Sequence, residues 1–142
     1  MDKIDACLEH LKYHKGEKFW IAGCSSIHSI TEIYIQGNDT EVSQEHLLRT
    51  KNILAEYKQH NKLALDRMNS WLKVDYIEKL ILSRIHVFDD IYSVTANPTA
   101  FIFTYEYGEN AHTIKDKYLF TAMYSVKFME NGNVLSAESW FV

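Results

Sequence analysis

Apolar and polar residues alternate with a period of two along most of the carboxyl-terminal half of the chain. The alternating segments are 76–88, 91–96, 99–107, 117–130 and 133–142. Turn-forming residues separate them, including Asn97-Pro98, the loop opened by Gly108, and Asn131-Gly132-Asn133. Because successive side chains on a strand point to opposite faces, this pattern predicts a meander of antiparallel strands.

Two of these strands carry a strongly aromatic face. The face of the first holds Phe101, Phe103, Tyr105 and Tyr107, and that of the second holds Tyr118, Phe120, Ala122, Tyr124, Val126 and Phe128. We expect the two faces to coincide in the sheet. Burial of each large side chain stabilises the fold by about 1.5–3 kcal/mol, so the pattern calls for a second layer that covers this face.

The second layer is predicted from the segment that begins at Ser43. Ser43 is a good helix N-cap, and Val42 and Leu47 occupy the positions of a hydrophobic staple. Apolar residues continue at helical spacing as far as Leu72. An unbroken helix would be about 45 Å long, against a diameter of ~37 Å for a compact chain of this length. We therefore expect a bend or break near residues 59–62.

The amino-terminal part completes the predicted architecture. Residues 2–15 show helical spacing of apolar side chains, and residues 18–36 form two β-rich runs typical of a hairpin. The predicted fold class is α+β: an antiparallel meander sheet packed on one side by long amphipathic helices, with an N-terminal helix and hairpin. Composition agrees with a single domain over residues 1–142, since 46% of the residues are hydrophobic and only one is proline.

Targeting signals are not recognisable in the chain. The amino terminus has no basic region followed by an apolar run, and no stretch is long and apolar enough to span a bilayer. We therefore expect a cytoplasmic protein that does not bind membranes. In a reducing compartment Cys7 and Cys24 are interpreted as small apolar fillers rather than a disulfide framework.

Charge is unevenly distributed along the chain, whose net charge is −4. No Lys or Arg lies between Ile85 and Ile114, a stretch that contains Asp89, Asp90, Glu106 and Glu109. Nucleic-acid binding needs clustered basic residues, so it is not expected. These four acids are candidate binding residues for a basic protein partner, and the alternative is that they are solvated turn and loop residues.

Catalytic and metal-binding motifs are weak. Gly23-Cys24-Ser25 matches neither a serine-hydrolase elbow nor a thiol-protease signature. Cys7, His10 and His14 would share one helix face, but an apolar role for Cys7 is favoured because no fourth zinc ligand is evident. We predict no catalytic residue, no metal site and no cofactor.

One resemblance rests on a strand entry, a tyrosine-rich strand and a final hairpin within residues 29–140. The matching residues are Lys79, Leu80, Leu82, Ile85, Tyr105, Gly132, Glu138 and Ser139. In these patterns the chain resembles small bacterial domains of unknown function, α+β accessory proteins of which some resemble immunity proteins. The resemblance implies a non-enzymatic bacterial protein that binds a macromolecular partner, such as a basic toxin that it neutralises.

A second resemblance rests on the strand rhythm of residues 86–107 and 126–142. It is to the cone-shaped nuclear-transport-factor-like fold, which includes isomerases and dehydratases with aromatic pockets. That resemblance implies a small-molecule pocket in which His86, Tyr105 and Glu138 are the candidate residues. Whether two copies form a homodimer through the edge strand of the meander is left open.

Overall fold

The computed structural model describes residues 5–89, 98–108 and 122–141. Three strands come first: β1 (Lys12–His14), β2 (Phe19–Gly23) and β3 (Glu32–Ile35). Helices α1 (Gln44–Ala55) and α2 (Tyr57–Leu72) follow, and then β4 (Leu80–Val87), β5 (Phe101–Tyr107), β6 (Ala122–Phe128) and β7 (Val134–Phe141). Short 3-10 helices precede β1 (Asp5–His10) and β4 (Ile77–Lys79).

The strands form one seven-stranded sheet in the order β1-β2-β3-β4-β5-β6-β7. Neighbours are antiparallel except β3 and β4, which pair in parallel because α1 and α2 carry the chain back across the sheet between them. The predicted α+β class is confirmed, as are the hairpin of β2 and β3 and the meander of β4 to β7. The sheet as a whole is mixed rather than antiparallel. The predicted strand 91–96 lies outside the described residues, and β4 pairs directly with β5.

Helix α1 begins where the sequence predicts. Ser43 is its N-cap, and the Ser43 hydroxyl accepts a hydrogen bond from the backbone N–H of His46 at 3.4 Å. The break comes at Glu56, three residues before the predicted range, and Glu56 leaves helical geometry with φ −119° and ψ 22°. The two helices are therefore about 18 and 24 Å long at 1.5 Å per residue. Among the described residues no helix is long and apolar enough to cross a membrane.

The aromatic faces of β5 and β6 coincide, as predicted, over the residues that the structure describes. Phe101 lies opposite Phe128 with stacked rings 4.6 Å apart, and Tyr105 lies opposite Tyr124. The ring of His60, on α2, contacts the edges of Phe101 and Phe128 at centroid distances of 5.3 and 5.7 Å. The helices are thus the second layer, and Ile53, Leu54, Ala64 and Met68 belong to the same buried cluster as these aromatic residues. Tyr118 and Phe120 lie outside the described residues.

The amino-terminal segment differs from the prediction. Instead of one helix over residues 2–15, the described part is a single 3-10 helix followed by β1, which pairs with β2 at the edge of the sheet. This pairing brings the segment back to the end of β2, where Cys7 and Cys24 form a disulfide. Their interpretation as separate apolar fillers was wrong, because the bond joins residues 17 positions apart and depends on strand pairing that no local pattern reveals.

We expect reduction of the disulfide to lower the free energy of unfolding by about 3 kcal/mol. Closing a loop of this size removes that much conformational entropy from the unfolded chain. Urea unfolding with and without reductant measures the difference. The Cys7→Ala/Cys24→Ala variant is the control, since its midpoint should not respond to reductant, and an unchanged wild-type midpoint would contradict the prediction.

Candidate functional site on the open face of the sheet

The interior between helices and sheet is occupied by side chains with structural partners. Tyr105 is 1% exposed, and its hydroxyl donates a hydrogen bond to Asn61 Oδ1 at 2.6 Å. The Tyr107 hydroxyl donates to the backbone oxygen of Asp75 at 2.6 Å. Burial raises the pKa of both phenols. Tyr105 therefore connects the sheet to α2, Tyr107 connects it to the turn that follows α2, and both are poorly suited to proton transfer.

The opposite face of the sheet carries a groove with a volume of about 470 Å³. It is a surface groove rather than a closed chamber, and we call it the outer groove. Its lining residues come from β2, β4, β5, β6, β7 and the residue after β4: Phe19, Arg84, His86, Phe88, Ile102, Thr104, Met123, Ser125 and Trp140.

Strand alternation explains why these residues share a face. Arg84 pairs with Thr104, and Thr104 pairs with Ser125, so the three form one row across β4, β5 and β6. Their neighbours along each strand, such as Ile85, Phe103 and Val126, point into the core and are fully buried. The same alternation that builds the aromatic core thus sets a polar row in the outer groove.

Hydroxyl groups line the centre of the groove. Thr104 Oγ1 and Ser125 Oγ lie 3.3 Å apart, and both residues are buried by their neighbours. Ser83 donates a hydrogen bond to the Thr104 backbone oxygen at 3.1 Å. The hydroxyl groups of Thr104 and Ser125 are uncharged, and they offer hydrogen-bond donors and acceptors to a molecule bound in the groove.

His86 forms one side of the groove and is held by aromatic contacts. Its ring stacks on Tyr34 at 4.4 Å and meets the edge of Phe19 at 5.6 Å. Burial, helped by the nearby positive charge of Arg84, lowers the pKa of His86 to about 4. The imidazole is therefore neutral at neutral pH.

The three residues predicted for a small-molecule pocket do not come together. His86 lines the outer groove, and Glu138 lies on the same face but forms an ion pair with Lys127 at 3.3 Å. Tyr105 lies on the helix-covered face, so the thickness of the sheet separates it from the other two. The bulge at Ser83 shifts the alternation of β4, so that His86 lies on the face opposite to Leu82 and its partner Tyr105. Neither this bulge nor the pairing register can be read from the alternation of one strand.

The predicted acidic residues are also dispersed. Glu106 lies opposite Ile81 and Asp89 follows the far end of β4, about 26 Å away along the strand at ~3.3 Å per residue. Asp89 is held within the chain, since its Oδ1 lies 3.5 Å from an Arg49 guanidinium nitrogen. Asp90 and Glu109 lie outside the described residues.

Asp89 also ends a short chain of polar contacts. Ser43 Oγ lies 2.6 Å from His46 Nδ1, and His46 Nε2 lies 3.1 Å from Asp89 Oδ1 without hydrogen-bond geometry. Serine, histidine and carboxylate in series are the groups of a hydrolytic triad. Here the serine caps α1, and none of the three lines the outer groove. The arrangement is best explained as a set of structural contacts that connect the start of α1 to the end of β4.

A second concave site lies between α1 and the turn that joins β6 to β7. We call it the acidic cleft; its volume is about 370 Å³ and its rim includes Glu45, Glu56 and Glu130. Apolar side chains of Leu48 and Phe101 line it, together with Arg49 and His60. Burial lowers the pKa of His60, a shift that nearby Glu56 opposes. No three metal-ligating side chains come together among residues 5–89, 98–108 and 122–141.

No family model, curated protein or solved structure matches the chain. The two resemblances drawn from sequence patterns therefore stay proposals. Sequence reasoning found His86 but missed Arg84, Thr104 and Ser125 as groove residues. Their signal was present, because they occupy the alternate positions of the strands whose other face is aromatic.

The lowered pKa of His86 predicts a pH-dependent stability. The unfolded-state pKa is about 6.5, so the contribution of neutral His86 is complete above that pH and is lost as pH falls toward the folded-state value. Between pH 6.5 and 4, wild type should lose about 3 kcal/mol more free energy of unfolding than a His86→Phe variant. Urea unfolding across this range measures it. His60 is present in both proteins, so its own titration cancels, and parallel pH profiles would contradict the prediction.

Proposed function

We propose that this chain is a non-enzymatic binding protein that holds a basic protein partner, in the manner of an immunity protein that neutralises a toxin. The observation that supports this best is the acidic cleft. Three glutamates stand at its rim against one arginine, and its apolar lining includes Leu48, whose side chain is 62% exposed. Apolar surface within a polar rim is typical of protein contacts, and a negatively charged rim favours a positively charged partner.

The cleft is suited to a lysine or arginine side chain of the partner. The aliphatic stem of such a residue would lie on the exposed Leu48, and its charged end would meet the rim carboxylates. Arg49 offsets the rim charge only in part, because its single positive charge is shared between Glu45 at 3.6 Å and Asp89 at 3.5 Å. The cleft therefore keeps an excess of negative charge.

The acidic residues predicted from the sequence differ in how near they lie to the acidic cleft. Asp89 adjoins the cleft through Arg49 and adds to its negative potential. Glu106 lies on the outer face of the sheet, so we assign it at most a peripheral contact. Asp90 and Glu109 are proposed as partner-binding residues on the sequence pattern alone.

The test is binding to the protein encoded beside this chain's gene, measured by titration calorimetry at low and physiological salt. A Glu45→Gln/Glu56→Gln/Glu130→Gln variant should bind at least tenfold more weakly, and the weakening should shrink as salt increases, because surface charges are screened. An Asp66→Asn/Glu41→Gln variant removes exposed acids elsewhere and should bind normally. Equal losses in both variants, or a partner that is not basic, would contradict the proposal.

A second candidate function is supported by the outer groove, which places a neutral histidine beside aromatic walls. Isomerases and dehydratases of the nuclear-transport-factor-like fold use such groups. Of the residues predicted for this role, only His86 lines the groove. Turnover of small ketones that is lost in a His86→Phe variant would favour this function over partner binding.

The cytoplasm is the compartment proposed from the sequence, and the disulfide is an observation against it. Disulfides persist mainly in oxidising compartments. Alkylation of the protein taken directly from its host decides the question. Two reactive thiols would support the cytoplasm, and a bonded pair would support an oxidising compartment.

A further inference from the structure

We propose that the outer groove is a binding site for a planar aromatic molecule that carries a carboxylate. This site is separate from the acidic cleft, and the proposal does not depend on the partner assigned to that cleft. It rests on the shape of the groove, on its aromatic walls and on the charge of Arg84 in its lining.

Shape and walls favour a flat ring. The volume of about 470 Å³ lies within the range of small-molecule sites. Phe19, Phe88 and Trp140 supply aromatic surface, and Trp140 is 40% exposed at β7. Ile102 and Met123 complete the apolar surface between them. Aromatic rings stack or meet edge-on in such surroundings, which favours a planar aromatic ligand over a flexible chain.

The positive charge of Arg84 favours a negatively charged ligand in the outer groove. Among the residues that the structure describes, Arg84 is the one charged residue that lines the groove, because burial keeps His86 neutral. Among the described residues no carboxylate lies within 4.0 Å of Arg84, although Glu32 is its cross-strand neighbour. Glu32 instead accepts a hydrogen bond from the Tyr34 hydroxyl at 3.3 Å. The guanidinium thus keeps donors that match the two oxygens of a carboxylate.

Arg84 also contacts an aromatic ring beside the groove. Its guanidinium carbon lies 5.7 Å from the centre of the Tyr34 ring, a cation–π contact that holds it beside the stacked pair of Tyr34 and His86. Two other carboxylates on this face are not directly opposite Arg84. Glu138 lies across Ser125 and is paired with Lys127, and Glu106 lies two residues along β5 from Thr104, half-buried opposite Met123. A ring on the apolar surface can therefore direct its carboxylate at Arg84 and its edge at the Thr104 and Ser125 hydroxyls.

The test compares two probes with the same ring, 2-naphthoate and 2-naphthalenemethanol, by NMR titration of the folded protein. Wild type should bind the acid at least tenfold more tightly than the alcohol, and the shifted resonances should include those of Trp140 and Thr104. An Arg84→Gln variant should lose this preference while its affinity for the alcohol is unchanged. Retained binding of the alcohol also shows that the variant is folded.

Arg67 supplies the matched control, because its guanidinium carbon also lies over an aromatic ring, that of Trp71, at 5.6 Å. An Arg67→Gln variant should keep the full preference for the acid. Equal affinities for the two probes in wild type, no binding of either at millimolar concentration, or equal effects of the two arginine variants would overturn the proposal. So would shifts confined to the acidic cleft.

Discussion

Burial of one aromatic face of the sheet under the helical layer is the constraint on which this structure depends. The ring of His60 packs among Phe101, Phe103 and Phe128, and Asn61 accepts the hydrogen bond of the buried Tyr105 hydroxyl. Apolar burial supplies the stabilisation, and the hydrogen bond removes the cost of burying a polar group. Both helices lie in the crossover between β3 and β4, and their buried residues belong to the same cluster as the aromatic face of the sheet.

The two concave sites follow from this one-sided arrangement. Core positions alternate with outer positions, so each aromatic residue that packs under the helices places its neighbour on the outer face. Arg84, Thr104 and Ser125 gather there beside His86 and apolar side chains. The acidic cleft forms where α1 meets the turn between β6 and β7, and its rim charge has the opposite sign. Although the net charge of the protein is −4, the outer groove carries the positive charge of Arg84, whereas the acidic cleft carries an excess of negative charge.

The predictable parts of the fold are those encoded locally. Alternation located β4 to β7 and the hairpin, and Ser43 marked the start of α1 through its own capping hydrogen bond. Contacts between distant segments were not predictable. The parallel pair of β3 and β4, the Cys7–Cys24 bond and the exact position of the helix break, at Glu56, depend on how the helices and the amino-terminal segment pack on the sheet. The same applies to the site, since only pairing registers reveal that Tyr105 and His86 occupy opposite faces.

The most direct test of the central claim is to map the ring protons of His60 and His86 by nuclear Overhauser spectroscopy. We expect His60 to show cross-peaks to Phe101, Phe103 and Phe128, and His86 to show cross-peaks to Tyr34 and Phe19. A His60 ring without contacts to these phenylalanines, or a His86 ring that contacts them instead, would contradict the one-sided burial and both proposed sites.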